Sequence, residues 1–239
     1  MDCNTENNES NEDDIDSLEK KAEKWMSTYF KRGEVALRNT TEECWVVIRR
    51  IVRDLTPLVQ RYITKSYVRP ILAEAGKDIS HWFNDQGELL TFVHPITMEL
   101  VPYLPHGNIP HLCENYLPSP YWFPTPLVPW WKDKRYFIGR LTANERPIRV
   151  RNMLTKMEAT FTVCEEDTIG GGIADRYKVY NSAYNSYVWK FEGKKVKMNK
   201  TLTDNGIEDI RPAMRDVQIP ECFYIPCLDL YYKDDFLCN

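Results

Sequence analysis

Hydrophobic and polar positions predict a first folded region of short helices beside a strand. The β-branched run over residues 44–52 predicts one buried strand. The segment Asp54-Leu-Thr-Pro57 predicts a helix start, because threonine can cap free backbone N–H groups and proline suits the first helical position. Pro70 and Asp78 predict two further short helices, with Gly76 as a stop between them.

A second patterned region follows residue 145. Residues 148–154 and 158–163 alternate as the arms of a hairpin, and a helix is predicted from Asp167 to Tyr177. Later strands are predicted at 187–191, 195–198 and 227–232, with a turn at Glu192-Gly193. One helix across a mixed sheet in the order ββαββ…β predicts an α+β fold of the β-grasp type. Because glycine costs about 1 kcal/mol in a helix relative to alanine, Gly170–Gly172 predict that the helix either starts late, near Ile173, or frays at this end.

The two regions are joined by a segment rich in proline and aromatic residues. Residues 95–129 hold nine of the fifteen prolines, which deny a continuous helix or a central strand. The aromatic residues there are compatible with an ordered strap over the protein's own two domains or with a docking surface for another protein. The predicted organisation is a disordered acidic leader at 1–26, domains at 27–98 and 145–239, and the linker strap at 99–144.

Composition limits the classes of function. Hydrophobic residues make up 43% of the 239 residues, enough for packed cores, and no apolar run approaches a membrane span. Residues 1–20 carry a net charge of −7 and lack the features of a secretory signal, whereas the rest carries +3, which does not suggest nucleic-acid binding. Seven cysteines without a CxxC pair favour reduced thiols. We expect a soluble intracellular protein with neither nucleic acid nor membrane as a partner.

Several short sequence motifs resemble those of a known family. Cys44-Trp-Val, Asp54-Leu-Thr and Ala75-Gly-Lys-Asp-Ile-Ser-His-Trp-Phe83 resemble the cytochrome b5 haem-binding fold. Together with the later Pro-Trp-Trp-Lys-Asp, they resemble the cytochrome b5 domain-containing family, in which a b5-like module is joined to a C-terminal ubiquitin-like β-grasp domain. The resemblance implies an α+β protein of the motile-cilium axoneme, with radial-spoke components as partners and a role in ciliary or flagellar beating.

The same resemblance raises haem b as a cofactor. Cytochromes b5 hold iron between two histidines, the first in a His-Pro-Gly-Gly turn, where this chain has Tyr62 and no glycines. Tyrosine is a known class of haem ligand, but Tyr62 could equally pack its ring between helices. The second histidine would fall near Glu88, beside a predicted turn at 84–87, so that His81 and His94 are the candidates for the other ligand. Each histidine also has an ordinary alternative role, on the surface or at a cap.

Other constellations give weaker signals. His106, His111 and Cys113 lack the fourth ligand and the paired spacing of a zinc site. Gly170–Gly172 fit neither phosphate-loop motif. No catalytic triad or paired acid–base carboxylates are visible, and the β-grasp region has no terminal Gly-Gly for conjugation. We therefore expect a non-enzymatic protein, for which the family resemblance implies an axonemal location, with a haem-dependent redox carrier or sensor as the alternative.

Overall fold

In the computed structural model, which describes residues 24–103 and 128–233, the chain divides between Leu141 and Thr142. The first unit contains several short strands and helices. Its strands are β1 (Tyr29–Phe30), β2 (Trp45–Ile48), β3 (Ile51–Asp54), β4 (Thr91–Val93), β5 (Leu100–Pro102) and β6 (Phe137–Leu141). Its α-helices are α1 (Arg32–Ala36), α2 (Thr56–Arg61) and α3 (Arg69–Ala73).

The apolar run over residues 44–52 folds as a hairpin, so the prediction of a single strand is wrong. β2 and β3 pair antiparallel, and the turn between them contains Arg49 and Arg50 with φ of 52° and 65°. Two successive left-handed residues are the geometry of a type I′ turn, which matches the twist of the flanking strands. Such a turn is usually predicted from asparagine and glycine. The two arginines found here give no such signal, so the hairpin was not predicted.

β6 completes the main sheet of the first unit, which has the strand order β1-β6-β3-β2. It pairs antiparallel with β3 and parallel with β1. The close approach of β1 requires Gly139, because a Cβ there would lie 2.7 Å from the Thr28 carbonyl oxygen. Residues 137–141 belong to the predicted strap by sequence, and the structure pairs them with strands of the first unit.

The three short helical segments begin close to their predicted positions. Pro57 and Pro70 lie in the first turns of α2 and α3, and Gly76 has a φ of 78° shortly after α3 ends. The third segment is the 3₁₀ helix Ser80–Trp82, where the Asp78 carboxylate accepts from the Ser80 N–H at 2.9 Å. These segments cover one side of the β2–β3 hairpin and bury its apolar face.

Aromatic residues from distant parts of the chain close the core of the first unit. Trp130 and Trp131 meet edge to face with centroids 5.5 Å apart, and Trp131 lies 5.9 Å from Phe83. All three are buried in one cluster with apolar residues of β2, α2 and α3. The last part of the predicted strap therefore supplies core residues, and residues 104–127, which include Tyr116, Tyr121, Trp122 and Phe123, lie outside the described residues.

The second unit has a five-stranded mixed sheet. Its strands are β7 (Glu145–Asn152), β8 (Glu158–Cys164), β9 (Tyr187–Phe191), β10 (Lys194–Lys195) and β11 (Cys227–Tyr232), in the spatial order β10-β9-β11-β7-β8. β7 and β11 are parallel, and the other neighbours are antiparallel. The helices are α4 (Ala174–Tyr177) and α5 (Arg211–Asp216), and the sequence did not predict α5. The helices and strands of both units confirm the α+β class.

The glycine run lies inside the predicted helix rather than before it. A π-helical turn, Ile169–Ile173, leads directly into α4, and the Thr168 hydroxyl caps it by accepting from the Gly171 N–H at 3.2 Å. A Cβ on Gly172 would collide with the side chain of Asp167. The α-helix itself begins at Ala174, close to the predicted late start near Ile173, and close packing against Asp167 requires glycine at position 172 in the turn before it.

Candidate functional site

Tyr62 lies at the C-terminal end of α2. Its backbone N–H donates to the carbonyls of Leu58 and Val59, at 3.3 and 3.2 Å. Its half-buried ring packs against the core of the first unit. Burial is the main cause that raises the pKa of the neighbouring Tyr136, and the charges of Asp133 and Tyr62 act in the same direction. Two phenols therefore lie in one partly apolar environment.

His81 points away from this core. It lies in the 3₁₀ helix Ser80–Trp82, is exposed, and meets Trp82 edge to face with centroids 6.1 Å apart. The buried member of this pair is Trp82, which is 1% exposed. In this short helix the side chain of Trp82 is therefore buried, and the side chain of its neighbour His81 lies at the surface.

His94 caps a turn of the β4–β5 hairpin. Its Nδ1 accepts from the backbone N–H groups of Ile96 and Thr97, at 3.3 and 3.2 Å. A neutral imidazole has one proton, so an accepting Nδ1 requires the proton to be on Nε2. Neither nitrogen then offers a free lone pair to a metal.

Glu88, where the resemblance would put the second axial histidine, carries an ion pair instead. Its carboxylate meets the ammonium of Lys132, and both side chains are substantially exposed. The predicted turn before it is confirmed: Asn84 N–H donates to the Glu88 carbonyl at 2.8 Å, and Gly87 has a φ of 75°. The turn and the ion pair together hold Glu88 at the surface.

Haem iron does not fit the three candidate ligands as they are arranged. Tyr62 packs against the core, His81 is exposed, and Nδ1 of His94 accepts from two backbone N–H groups, which leaves the imidazole proton on Nε2. Ligation by His94 would require it to release two backbone N–H groups and to move its proton from Nε2 to Nδ1. Within residues 24–103 and 128–233, no group of three His, Cys, Asp or Glu side chains could hold a metal ion.

The remaining sequence candidates are not brought together either. His106, His111 and Cys113 lie outside the described residues. Gly170–Gly172 form a helical turn whose N–H groups bond to Met198 and Thr168, so the turn is part of the packing of the second unit. No helix in the described part of the chain is both long and apolar enough to span a bilayer.

Arg53 is a buried charged residue that the sequence did not single out. It is 5% exposed and donates to the carbonyl of Trp131 through Nε and a terminal nitrogen, at 3.0 and 2.8 Å. Its other terminal nitrogen donates to the carbonyls of Ile48 and Ile51, and its guanidinium lies 4.5 Å from the centroid of Phe137. Burial lowers its pKa to about 9, so the side chain stays cationic at neutral pH. Its positive charge is balanced by carbonyl dipoles and an aromatic face.

Comparisons with known proteins identify relatives that align with most of this chain. No protein-family model matches the chain. Cytochrome b5 domain-containing protein 1 of Xenopus laevis is 38% identical over 208 residues, which cover 87% of this chain and 95% of that protein. The protein of the same name from Homo sapiens is 37% identical over 214 residues, which cover 89% and 93%. Cytochrome b5 type B of Rattus norvegicus is 40% identical over 60 residues, only 25% of this chain and 40% of that protein.

Proposed function

The chain belongs to the cytochrome b5 domain-containing protein 1 family, and from that premise we propose that it is a non-enzymatic structural and regulatory protein of the motile-cilium axoneme. In this proposal it associates with radial spokes and takes part in the control of ciliary or flagellar beating. The cilium and the spokes come from the family resemblance. The non-enzymatic role is supported by the position of His94, whose imidazole caps a turn through Nδ1.

The second unit serves in this proposal as a ubiquitin-like β-grasp module that binds other proteins. Its strand order supports the assignment, because the first and last strands, β7 and β11, lie parallel at the centre with a hairpin on each side. A helix follows the first hairpin in the chain and buries the apolar face of the sheet. Such modules act through their surfaces, and the fold alone does not supply a reaction.

Axonemal retention tests the proposal directly. The tagged chain should stay with axonemes after detergent extraction of ciliated cells, and it should be lost from axonemes that lack radial spokes. A tagged protein that leaves completely with the detergent-soluble fraction would contradict the proposed role.

A test of the docking role of the linker has to leave Trp130 and Trp131 in place. Trp130 and Trp131 are core residues, so their removal would unfold the first unit as well. Replacement of 104–127 by a glycine-serine linker keeps both tryptophans. Loss of retention by this variant, with unchanged thermal unfolding, would support a docking surface there, and normal retention would exclude it.

Haem binding is the alternative function, favoured by the similarity to cytochrome b5 type B over 60 residues. An absorption spectrum of the purified chain after haem titration separates the two functions. We expect no Soret band, because His94 would have to give up both of its hydrogen bonds to bind iron. A stoichiometric Soret band that shifts in Tyr62→Phe or His94→Ala would overturn the non-redox role and favour a redox carrier or sensor.

A further inference from the structure

The two edge strands of the second unit's sheet differ in length and charge. β10 consists of Lys194 and Lys195, and short lysine-rich edges resist pairing with another strand. β8 runs for seven residues, Glu158–Cys164, and contains neither lysine nor proline. Among the described strands it pairs only with β7. β8 is therefore the edge that can accept an added strand.

The backbone of Thr160 presents its hydrogen-bonding groups to this open edge. Asn152 N–H donates to the Met157 carbonyl at 2.9 Å, which fixes the alternation of the β7–β8 ladder. Arg149, the partner of Thr160, donates its N–H at 2.9 Å to the Pro226 carbonyl on the other side of β7. The Arg149–Thr160 pair is therefore not hydrogen-bonded, and the N–H and carbonyl of Thr160 point outward.

A cleft of about 300 Å³ lies beside the first half of β8. The strand contributes one wall and the end of the α4 region the other. Its main lining residues are Met157, Ala159, Tyr177, Tyr180, Asn181 and Tyr187. Ala159 faces inward between two larger residues, Met157 and Phe161, and its small side chain leaves this space open. On the helix side, the rings of Tyr177 and Tyr180 stack on each other and on Phe161 of β8, all within 26° of parallel, and give this wall an aromatic surface.

The chemistry of the cleft favours an apolar side chain with an acidic neighbour. Its one charged lining residue, Glu158, is already paired with Arg149 and Arg151 at 3.8 and 3.9 Å. Burial raises the pKa of Tyr177, so its phenol is neutral. Lys156 and Lys178 adjoin lining residues, and neither forms an ion pair with the described residues. The two lysines add positive charge beside a neutral, aromatic cleft.

We propose that the β8 edge binds an extended peptide of a partner protein as an added strand, with an aliphatic side chain in the cleft and an acidic residue beside Lys156 or Lys178. Main-chain hydrogen bonds would supply affinity, and the cleft would supply specificity. This inference deepens the proposed role of the second unit as an interaction module. Its test uses purified protein, so failure of the axonemal role would leave the binding result intact.

The probe is a fluorescent peptide with a short run of valines flanked by aspartates, titrated with the full chain and followed by anisotropy. We expect saturable binding that weakens about tenfold or more in Thr160→Pro, which removes the outward N–H without touching the β7 ladder. Ala159→Leu should weaken binding similarly because its side chain fills the cleft. Lys195→Ala, on the opposite edge, should bind like the original chain.

Two control peptides define the specificity. One has proline within the valine run, which disrupts strand pairing, and the other has lysines in place of the aspartates; both should bind at least about tenfold more weakly. Absence of saturable binding, or equal affinity in both edge variants, would overturn the proposal. Self-association of the original chain that Thr160→Pro abolishes would also overturn it, since the occupant would then be a second copy. If Thr160→Pro fails to fold by circular dichroism, Ala159→Leu carries the test.

Discussion

Arg53 and Trp131 are joined by two hydrogen bonds across 78 positions of the chain: Nε and a terminal nitrogen of the guanidinium both donate to the Trp131 carbonyl, at 3.0 and 2.8 Å. This pair attaches the end of the aromatic segment to β3. It also explains why the charged side chain of Arg53 can be buried in β3. The planar guanidinium of Arg53 donates to three carbonyls at once. The ammonium of a lysine, on a flexible side chain, could not reproduce this arrangement well.

Arg53→Met should destabilise the first unit by about 3 kcal/mol. The substitution keeps much of the apolar stem but leaves buried carbonyls of Ile48, Ile51 and Trp131 without their donor. Urea unfolding followed by tryptophan fluorescence measures the loss. The free energy of unfolding of Arg53→Lys should lie between those of Arg53→Met and the original chain, because lysine keeps the positive charge but lacks the planar guanidinium.

Arg69→Met is the matched control for this prediction. Arg69 is exposed at the start of α3, so its loss should change stability by less than about 0.5 kcal/mol. Equal stability of Arg53→Met and the original chain would mean that the hydrogen bonds of Arg53 to the three carbonyls contribute nothing to the stability of the first unit.

Most strands of the second unit were predictable because their signals are local, although the strand predicted at 195–198 is only Lys194–Lys195 in the structure. The alternation of Tyr187–Phe191 and the turn at Glu192-Gly193 lie within a few residues of each other, and the structure confirms both, with φ of 48° and 78° in the turn. The hairpin of β7 and β8 and the last strand, β11, follow equally regular patterns. The local alternation of apolar and polar residues was therefore enough to predict most of the strands of this unit.

The first unit depends on contacts that no local pattern shows. The turn at Arg49 and Arg50 has no glycine or asparagine, and Trp130 and Trp131 become core residues only through contacts with Phe83 and β3. The candidate site shows the same limit. Helical spacing put Tyr62 near the end of α2, whereas the use of His94 as a cap depends on the turn that follows it.

Gly172→Ala should destabilise the second unit by about 1–3 kcal/mol, although alanine is normally the better helix former. The added methyl would overlap the side chain of Asp167, which accepts from the Cys164 N–H and from Arg176 at 3.2 and 2.9 Å. Thermal unfolding by circular dichroism gives the measurement. Gly171→Ala is the matched variant, because its methyl would meet only the Thr168 hydroxyl, at 3.0 Å, and should cost less. The reverse order of stabilities would show that Asp167 moves freely.

Native cysteines should differ widely in reactivity. Burial, with the nearby charge of Asp54, raises the pKa of Cys44 to about 12, whereas Cys222 is exposed. Because the thiolate is the nucleophile, the raised pKa and the burial of Cys44 should both slow its alkylation by iodoacetamide at pH 8, by about a hundredfold or more relative to Cys222. Peptide-level mass spectrometry after timed alkylation resolves the two sites. In denaturant the rates should converge, and rapid native labelling of Cys44 would contradict its buried position.

Asp209 should make the second unit sensitive to acid. Its carboxylate meets the guanidinium of Arg211 at 2.8 and 2.6 Å and accepts from the Asn144 amide at 2.9 Å, and these bonds, led by the one from Arg211, lower its pKa well below the usual range. A lowered pKa in the folded state stabilises that state above the unfolded pKa, near 4, and the contribution disappears as the pH falls through the folded value.

Asp209→Asn should therefore be less stable than the original chain at pH 7, and the difference should shrink steadily below about pH 4. Urea midpoints measured across this range give the two curves. Asp216→Asn, at an exposed carboxylate in α5, should run parallel to the original chain throughout. A constant gap between Asp209→Asn and the original chain down to about pH 2 would mean that Asp209 stabilises the fold by its shape and hydrogen bonds alone, since a charge contribution must shrink once the carboxylate of the unfolded chain is protonated.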